Sequence, residues 1–73
     1  MIIYSADKMT FINSNAVKCY KIIDTPEEYV LRAYINKDDS EFVTRGAMGY
    51  LVDTMDKISE AINNGNAYYR IEE

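Results

Sequence analysis

The spacing of the apolar residues changes abruptly near Gly46, and this change constrains the fold more than any other feature of the chain. In residues 29–36 the side chains alternate cleanly. The positions on one face are Tyr29, Leu31, Ala33 and Ile35. A period of two is typical of a β-strand with one buried face, so this segment is predicted to be a strand.

After Ala47 the apolar residues recur every three or four positions instead. The members of this stripe are Met48, Leu51, Val52, Met55, Ile58 and Ile62. They span roughly 120° of a helical wheel, which predicts one amphipathic helix with the stripe buried in the core. Thr44 is a candidate N-cap, and Gly65 is a plausible stop because glycine takes the left-handed conformation that ends helices.

Shorter apolar runs predict the other strands. They cover residues 1–5, 9–13, 17–23, 41–45 and 67–71. Turns are predicted at residues 14–15, at residues 24–27 around Pro26, and at residues 37–40. With 73 residues the chain is expected to form one domain, residues 1–73. The predicted fold class is α+β: an antiparallel sheet of about five strands, one amphipathic helix packed on one face, and a final short strand.

The charge balance and the cysteine content bear on location. The formal net charge is −4, which disfavours nucleic acid and anionic membrane surfaces as partners. The N-terminus has neither the basic start nor the apolar run of a secretion signal, and no stretch approaches the roughly 20 apolar residues of a membrane span. Cys19 has no second cysteine to pair with. A cytoplasmic location is therefore expected.

The residue types argue against an enzyme. The chain has no histidine, the usual general base near neutral pH and a common metal ligand. Cys19 needs a partner that lowers its pKa before it can act as a nucleophile, and Lys18 and Lys21 are poorly placed on a strand. We expect Cys19 to be a small buried residue, and we expect no catalytic residue, metal site or cofactor.

The tyrosine content favours a binding function. Seven tyrosines are present, and tyrosine is enriched at protein interfaces. Tyr34, Tyr50 and Tyr68 are the candidate contact residues, and Tyr50 is expected to be exposed because the wheel places it off the apolar stripe. The leading hypothesis is a non-enzymatic interaction module that binds another protein or itself as a homodimer.

The helix offers an alternative through its acidic face. Asp53, Asp56 and Glu60 lie opposite the apolar stripe, with Lys57 positioned to pair with Asp53 at i, i+4. These carboxylates can form an ordinary solvated face. They also fit a small acidic inhibitor of the phage type that mimics nucleic acid.

Two further hypotheses concern anions and nucleic acid. The run from Gly46 to Gly49 opens the helix beside Arg45 and offers backbone N–H groups to an anion. Interleaved bases and aromatics resemble a single-strand binding platform. The residues of that set are Lys18, Tyr20, Lys21, Arg32, Tyr34, Tyr69 and Arg70. The net negative charge disfavours nucleic acid, and the alternative for the Gly46–Gly49 run is a flexible strand-to-helix turn.

Several short motifs resemble a known group of sequences. They are Ser5-Ala6-Asp7-Lys8, Phe11-Ile12-Asn13, Val17, residues 29–35, Ala61-Ile62-Asn63-Asn64-Gly65 and Tyr68-Tyr69. In these the chain resembles a family of short uncharacterised proteins of Gram-positive bacteria and their phages. The resemblance implies a cytoplasmic, stand-alone, β-rich domain with one helix, and it implies no activity. The chain departs from the pattern at Gly46-Ala47-Met48-Gly49, so the helix is expected to begin later than Ala47.

Overall fold

A computed structural model describes residues 1–72 as six strands, one α-helix and a short 3-10 helix. The strands are β1 Ile2–Tyr4, β2 Phe11–Asn13, β3 Cys19–Asp24, β4 Tyr29–Tyr34, β5 Ser40–Gly46 and β6 Tyr68–Arg70. The helix α1 spans Met48–Asn63, and the 3-10 helix spans Ser14–Ala16. The α+β class and the single helix are confirmed.

The prediction of one sheet of about five strands is wrong in detail, because the strands form two three-stranded sheets. Strands β3, β4 and β5 form an antiparallel meander, and the other sheet has the order β2-β1-β6. In the second sheet β1 pairs with β2 antiparallel and with β6 parallel. We call these the meander and the terminal sheet. The terminal sheet joins the two ends of the described chain.

The meander forms where the alternation and turn signals are strongest. Pro26 lies in the turn between β3 and β4, where the Thr25 hydroxyl donates to the carbonyl of Glu28. Leu31 and Ala33 on the central strand are fully buried, as the alternation predicts. The hydrophobic effect therefore fixes which face of β4 is turned to the core.

A bulge in β5 links the two sheets. Leu31 pairs with Thr44 while Arg32 pairs with Phe42, so Val43 is an extra residue in β5. Val43 and Thr44 are both buried, whereas neighbouring residues of a regular strand project to opposite faces. The carbonyl of Val43 accepts a hydrogen bond of 2.9 Å from the N–H of Ala6, just after β1.

The helix packs against all three strands of the meander, but its buried stripe differs from the predicted one. Leu51 and Ile58 are buried and Met55 is partly buried, whereas Val52 and Ile62 are 46% and 44% exposed. The small residues Thr54 and Ala61 are buried instead. The prediction was wrong because it ranked positions by hydrophobicity, whereas close packing of helix on sheet selects small side chains as well.

The ends of the helix are also partly corrected. The N-cap is Ala47, without a side-chain hydrogen bond, and Thr44 lies in β5 instead of capping the helix. The start at Met48 agrees with the expectation that the helix begins later than Ala47. Gly65 has a φ of 71° and follows the last turn, so the predicted stop is confirmed.

Candidate interaction surface

The three tyrosines predicted to form a contact surface lie in three different places. Tyr34 belongs to the meander, Tyr50 to the first turns of α1, and Tyr68 to the terminal sheet. Tyr68 is 59% exposed, whereas Tyr34 and Tyr50 are partly buried. The structure therefore does not bring the predicted set together.

The expectation that Tyr50 is exposed is wrong. Its ring packs against the hydrophobic core, and its hydroxyl lies 3.3 Å from the hydroxyl of Thr44. The same hydroxyl donates to the backbone carbonyl of Glu72. A Cβ at Gly46 would lie 3.1 Å from the Tyr50 ring. Tyr50 thus connects β5, the helix and the C-terminal segment, and its role is structural.

An exposed group of aromatic side chains lies on the outer face of the terminal sheet. Tyr4 pairs laterally with Phe11 on one side and with Arg70 on the other, and paired residues project from the same face. The Tyr4 ring lies 6.2 Å from that of Phe11 and 6.3 Å from that of Tyr68, centroid to centroid. We call Tyr4, Phe11, Tyr68 and Arg70 the aromatic patch.

The aromatic patch is exposed because the opposite face of the same strands supplies the core. Ile3 and Ile12 are buried there, so their neighbours Tyr4 and Phe11 must project outward. Phe11 is 70% exposed, and Met9, which precedes β2, is 85% exposed. Phe11, Met9 and Arg70 were not among the predicted contact residues. The signal available was the alternation in Phe11-Ile12-Asn13, which places Ile12 and Phe11 on opposite faces.

Positive charge accompanies the rings. The guanidinium of Arg70 lies 4.4 Å from the centroid of the Tyr4 ring and 5.8 Å from that of Tyr68. Cation–π attraction of this kind favours a guanidinium held over the ring face. A recess of about 530 Å³ adjoins Tyr4 and Arg70, with Lys8 and Glu72 among its other lining residues. The patch therefore combines apolar rings with an oriented cation.

The turn between β1 and β2 is held by polar contacts beside the patch. The Ser5 hydroxyl donates to the Asp7 carboxylate at 2.5 Å, and the N–H of Met9 donates to it at 3.0 Å. These two hydrogen bonds, the Ser5 one foremost, lower the pKa of Asp7 below its ordinary value. Lys8 takes a φ of 62°, a left-handed conformation that the short turn requires.

The outer face of the meander is a second open surface, with different chemistry. The ammonium of Lys21 lies 5.2 Å from the centroid of the Tyr34 ring. Arg32 donates to the Ser40 hydroxyl at 2.7 Å and to the Ser40 carbonyl at 3.2 Å. Tyr20, on the same strand as Lys21, turns to the core. The proposed single-strand platform is therefore divided between faces.

Cys19 also lies on this face, opposite Tyr34, and the expectation that it is buried is wrong. The thiol is exposed. The reason is the register of β3, in which Tyr20 and Ile22 pack against the core and so turn the odd-numbered residues outward.

The acidic residues of the helix lie on its solvent side as expected. Asp53, Asp56 and Glu60 are all exposed, and Asp53 pairs with Lys57 at 3.1 Å. That carboxylate raises the pKa of the Lys57 ammonium. At the start of the helix, Arg45 pairs with Glu28 at 3.3 Å, so a carboxylate stands beside the loop considered for anion binding.

Within residues 1–72 no group of three or more acidic or cysteine side chains is arranged to hold a metal ion. No helix in the same range is long and apolar enough to cross a bilayer.

Comparison with known proteins adds no relative. No protein-family model matches the chain, and no curated protein or solved structure gives a significant match. The resemblance to short proteins of Gram-positive bacteria and phages therefore stays a prediction.

Proposed function

We propose that this chain is a non-enzymatic protein-interaction module and that the aromatic patch is its contact surface. The observation that carries the proposal is the exposure of Phe11 at 70% and Tyr68 at 59% in a chain with so small a core. An aromatic side chain offers about 150–250 Å² for burial. At about 25 cal/mol per Å², covering two such rings provides several kcal/mol of binding free energy.

The charge of the patch specifies the partner further. Arg70 is the only ionised side chain in the three strands of the terminal sheet, whose sequences are Ile-Ile-Tyr, Phe-Ile-Asn and Tyr-Tyr-Arg. A guanidinium oriented over a ring favours a carboxylate, which it can bind through two N–H groups. The proposed partner is a protein that presents apolar side chains around an aspartate or glutamate.

The residue chemistry supports the non-enzymatic part of the proposal. The sequence has no histidine, and Cys19 stands on an open sheet face opposite Tyr34. Cys19 therefore has no histidine beside it to act as the base that a nucleophilic thiol needs.

The acidic helix supports the alternative, a nucleic-acid mimic, less well. Asp53, Asp56 and Glu60 are exposed, but Lys57 pairs with Asp53 and the neighbouring Val52 is 46% exposed. A surface that replaces phosphates gains most from unpaired carboxylates. If the mimic were correct, changing Asp53, Asp56 and Glu60 to lysine would abolish partner binding, and wild-type binding would weaken steeply with salt.

The test begins with capture of partners from the cells that make the protein, using the wild-type chain and the Phe11→Ala/Tyr68→Ala variant as baits. A partner retained by the wild-type chain and lost by the variant is then purified and titrated. We expect Arg70→Lys to weaken that partner about tenfold or more, because lysine keeps the charge but not the planar pair of donors.

A matched control separates contact from folding. Cys19→Ser also changes an exposed strand residue, but on the meander, and should leave the partner bound. Equal binding by the wild-type chain and the Phe11→Ala/Tyr68→Ala variant would refute the proposal. Tight binding of single-stranded oligonucleotides, lost in the same variant, would also refute it by assigning the patch to nucleic acid.

A further inference from the structure

Beside its buried stripe the helix carries a second, mostly apolar stripe, which is exposed except at Met55. The buried residues are Leu51, Thr54, Ile58 and Ala61. The second stripe consists of Met48, Val52, Met55, Ser59 and Ile62, whose spacing alternates between four and three. That spacing keeps all five on one face. Met48, Val52 and Ile62 are 42%, 46% and 44% exposed. Exposed large apolar residues in a row on one helix face mark a contact surface.

A groove runs along the second stripe where the helix meets the meander. Its volume is about 380 Å³, and Tyr20 of β3 lines it together with Met55, Ile58 and Ile62 of the helix. Strand β3 is the edge of its sheet, so no further strand of the meander flanks the groove. The Tyr20 hydroxyl is buried without a hydrogen-bond partner in the described part of the chain. Methionine in such a wall adapts easily to the shape of a ligand.

The other border of the second stripe is acidic. At about 100° per residue, Asp56, Glu60 and Asp53 follow one another around the helix on the side away from the buried stripe. All three are exposed, and Asp53 also pairs with Lys57 at 3.1 Å. We call them the acidic row. The surface therefore has an apolar centre, a groove against β3 that Asp56 also lines, and carboxylates along its other border. A complementary ligand has apolar residues beside a row of bases.

We infer that the second stripe and its groove bind a basic amphipathic helix of a partner protein. From Met48 to Ile62 the stripe is about 21 Å long, which matches about four turns of a partner helix. Apolar anchors with this spacing are how helices dock in grooves. Two copies of this chain paired antiparallel about a two-fold axis would set their acidic rows side by side, which like-charge repulsion disfavours. The second stripe and its groove include none of the residues of the aromatic patch.

The test uses a synthetic amphipathic helix of about 18 residues built from leucine and lysine as the probe. Binding to the full chain is measured by calorimetry, and its location by amide chemical shifts in NMR spectra. We expect shifts concentrated on residues 48–62 and on Tyr20 of β3. The variant Asp53→Asn/Asp56→Asn/Glu60→Gln should weaken binding about tenfold or more. Val52→Ser/Ile62→Ser should do the same through lost apolar contact.

The matched control removes the same charge elsewhere. Asp24, Glu27 and Glu41 are exposed and lie outside the helix, so Asp24→Asn/Glu27→Gln/Glu41→Gln should change the affinity less than about threefold. Equal weakening by both triple variants would overturn the inference, because the probe would then report net charge alone. Equal binding of a leucine–glutamate peptide would overturn it as well. Dimerisation of the free chain would also overturn the inference if Val52→Ser/Ile62→Ser abolished it, because a second copy of the chain would then occupy the stripe.

The charge variants keep the test decisive if the apolar variant unfolds, since they replace exposed groups with amides of similar size. Phe11→Ala/Tyr68→Ala should bind the probe as the wild-type chain does. Loss of probe binding in that variant would contradict a helix site. If Phe11→Ala/Tyr68→Ala loses the captured partner but still binds the probe, that loss concerns only the aromatic patch.

Discussion

The meander and the terminal sheet each have three strands, yet they contribute differently to the molecule. The meander is built from strands adjacent in sequence, and the helix covers its inner face. The terminal sheet joins β1 and β2 to β6 from the other end of the described chain, and it exposes Phe11 at 70%. The stability of this fold and its proposed contact surface are therefore separated by face. Buried residues of both sheets and the helix form the core, whereas the outer face of the terminal sheet is available to a partner.

Truncating one large side chain in each region tests whether stability and contact surface are separated. Leu31→Ala or Leu51→Ala should cost on the order of 2–5 kcal/mol of unfolding free energy, because both residues are fully buried. Phe11→Ala should cost less than about 1 kcal/mol, since most of the ring is already in water. Urea unfolding followed by circular dichroism measures both. A loss at Phe11 as large as at Leu31 would place the patch in the core.

Val52→Ala is the matched control for Leu51→Ala on the same helix. Val52 is 46% exposed, so its truncation should cost less than about 1 kcal/mol. A cost of several kcal/mol would mean that the second stripe of the helix packs within the chain.

Gly46→Ala tests the junction between the meander and the helix. Gly46 has a φ of 146°, and an added Cβ would meet the Tyr50 ring at 3.1 Å. Backbone strain and this close contact together should cost on the order of 1–3 kcal/mol. Gly49→Ala is the control, because a Cβ there meets nothing within 4 Å. It should be neutral or stabilising, since alanine is the better helix former.

Tyr50→Phe examines how the C-terminal segment is attached. The change keeps the ring against the core and removes the hydroxyl that contacts Thr44 and the carbonyl of Glu72. We expect a loss of about 0.5–1.5 kcal/mol, with faster amide exchange at Ile71, which precedes the released carbonyl. Unchanged exchange at Ile71 would show that this hydroxyl does not hold the segment.

The smallest expected effect is a pH dependence within the terminal sheet. Hydrogen bonds from Ser5 and Met9 lower the pKa of Asp7, so its contribution to stability is present above the ordinary carboxyl value of about 4 and lost as the pH falls through the folded value. Asp7→Asn should therefore reduce the urea midpoint at pH 6 and differ less from the wild-type chain as the pH approaches 2.

Asp24→Asn is the control for that measurement, because the Asp24 side chain is exposed and accepts no hydrogen bond among residues 1–72. If the wild-type chain and Asp7→Asn lost equal stability as the pH falls from about 6 to about 2, the role given to Asp7 would be contradicted.

How much the sequence predicts depends on how local the determining contacts are. The strand over residues 29–34 and the stop at Gly65 follow from alternation and backbone preference, and both are confirmed. The division into two sheets rests on the parallel pairing of β1 with β6, which no local pattern encodes. The burial of Thr54 and Ala61 in place of Val52 and Ile62 depends on how closely the helix approaches the sheet.

The candidate contact surface was predictable only in part for the same reason. Tyr68 was selected from residue type, whereas Phe11 and Arg70 become its neighbours only when the terminal sheet forms. Tyr50 shows the converse error. The helical wheel places it away from the apolar stripe, but the C-terminal segment and Thr44 cover that side of the helix.

The most direct test of the central claim compares one tyrosine and one phenylalanine on each open sheet face. Phe11→Ala/Tyr68→Ala removes them from the terminal sheet, and Tyr34→Ala/Phe42→Ala removes the outward pair from the meander. Affinity for the captured partner is measured for both variants after circular dichroism confirms that each is folded. We predict that the first variant loses about 100-fold or more in affinity and the second less than about threefold. Retained binding by Phe11→Ala/Tyr68→Ala together with loss of binding by Tyr34→Ala/Phe42→Ala would contradict a contact surface on the terminal sheet.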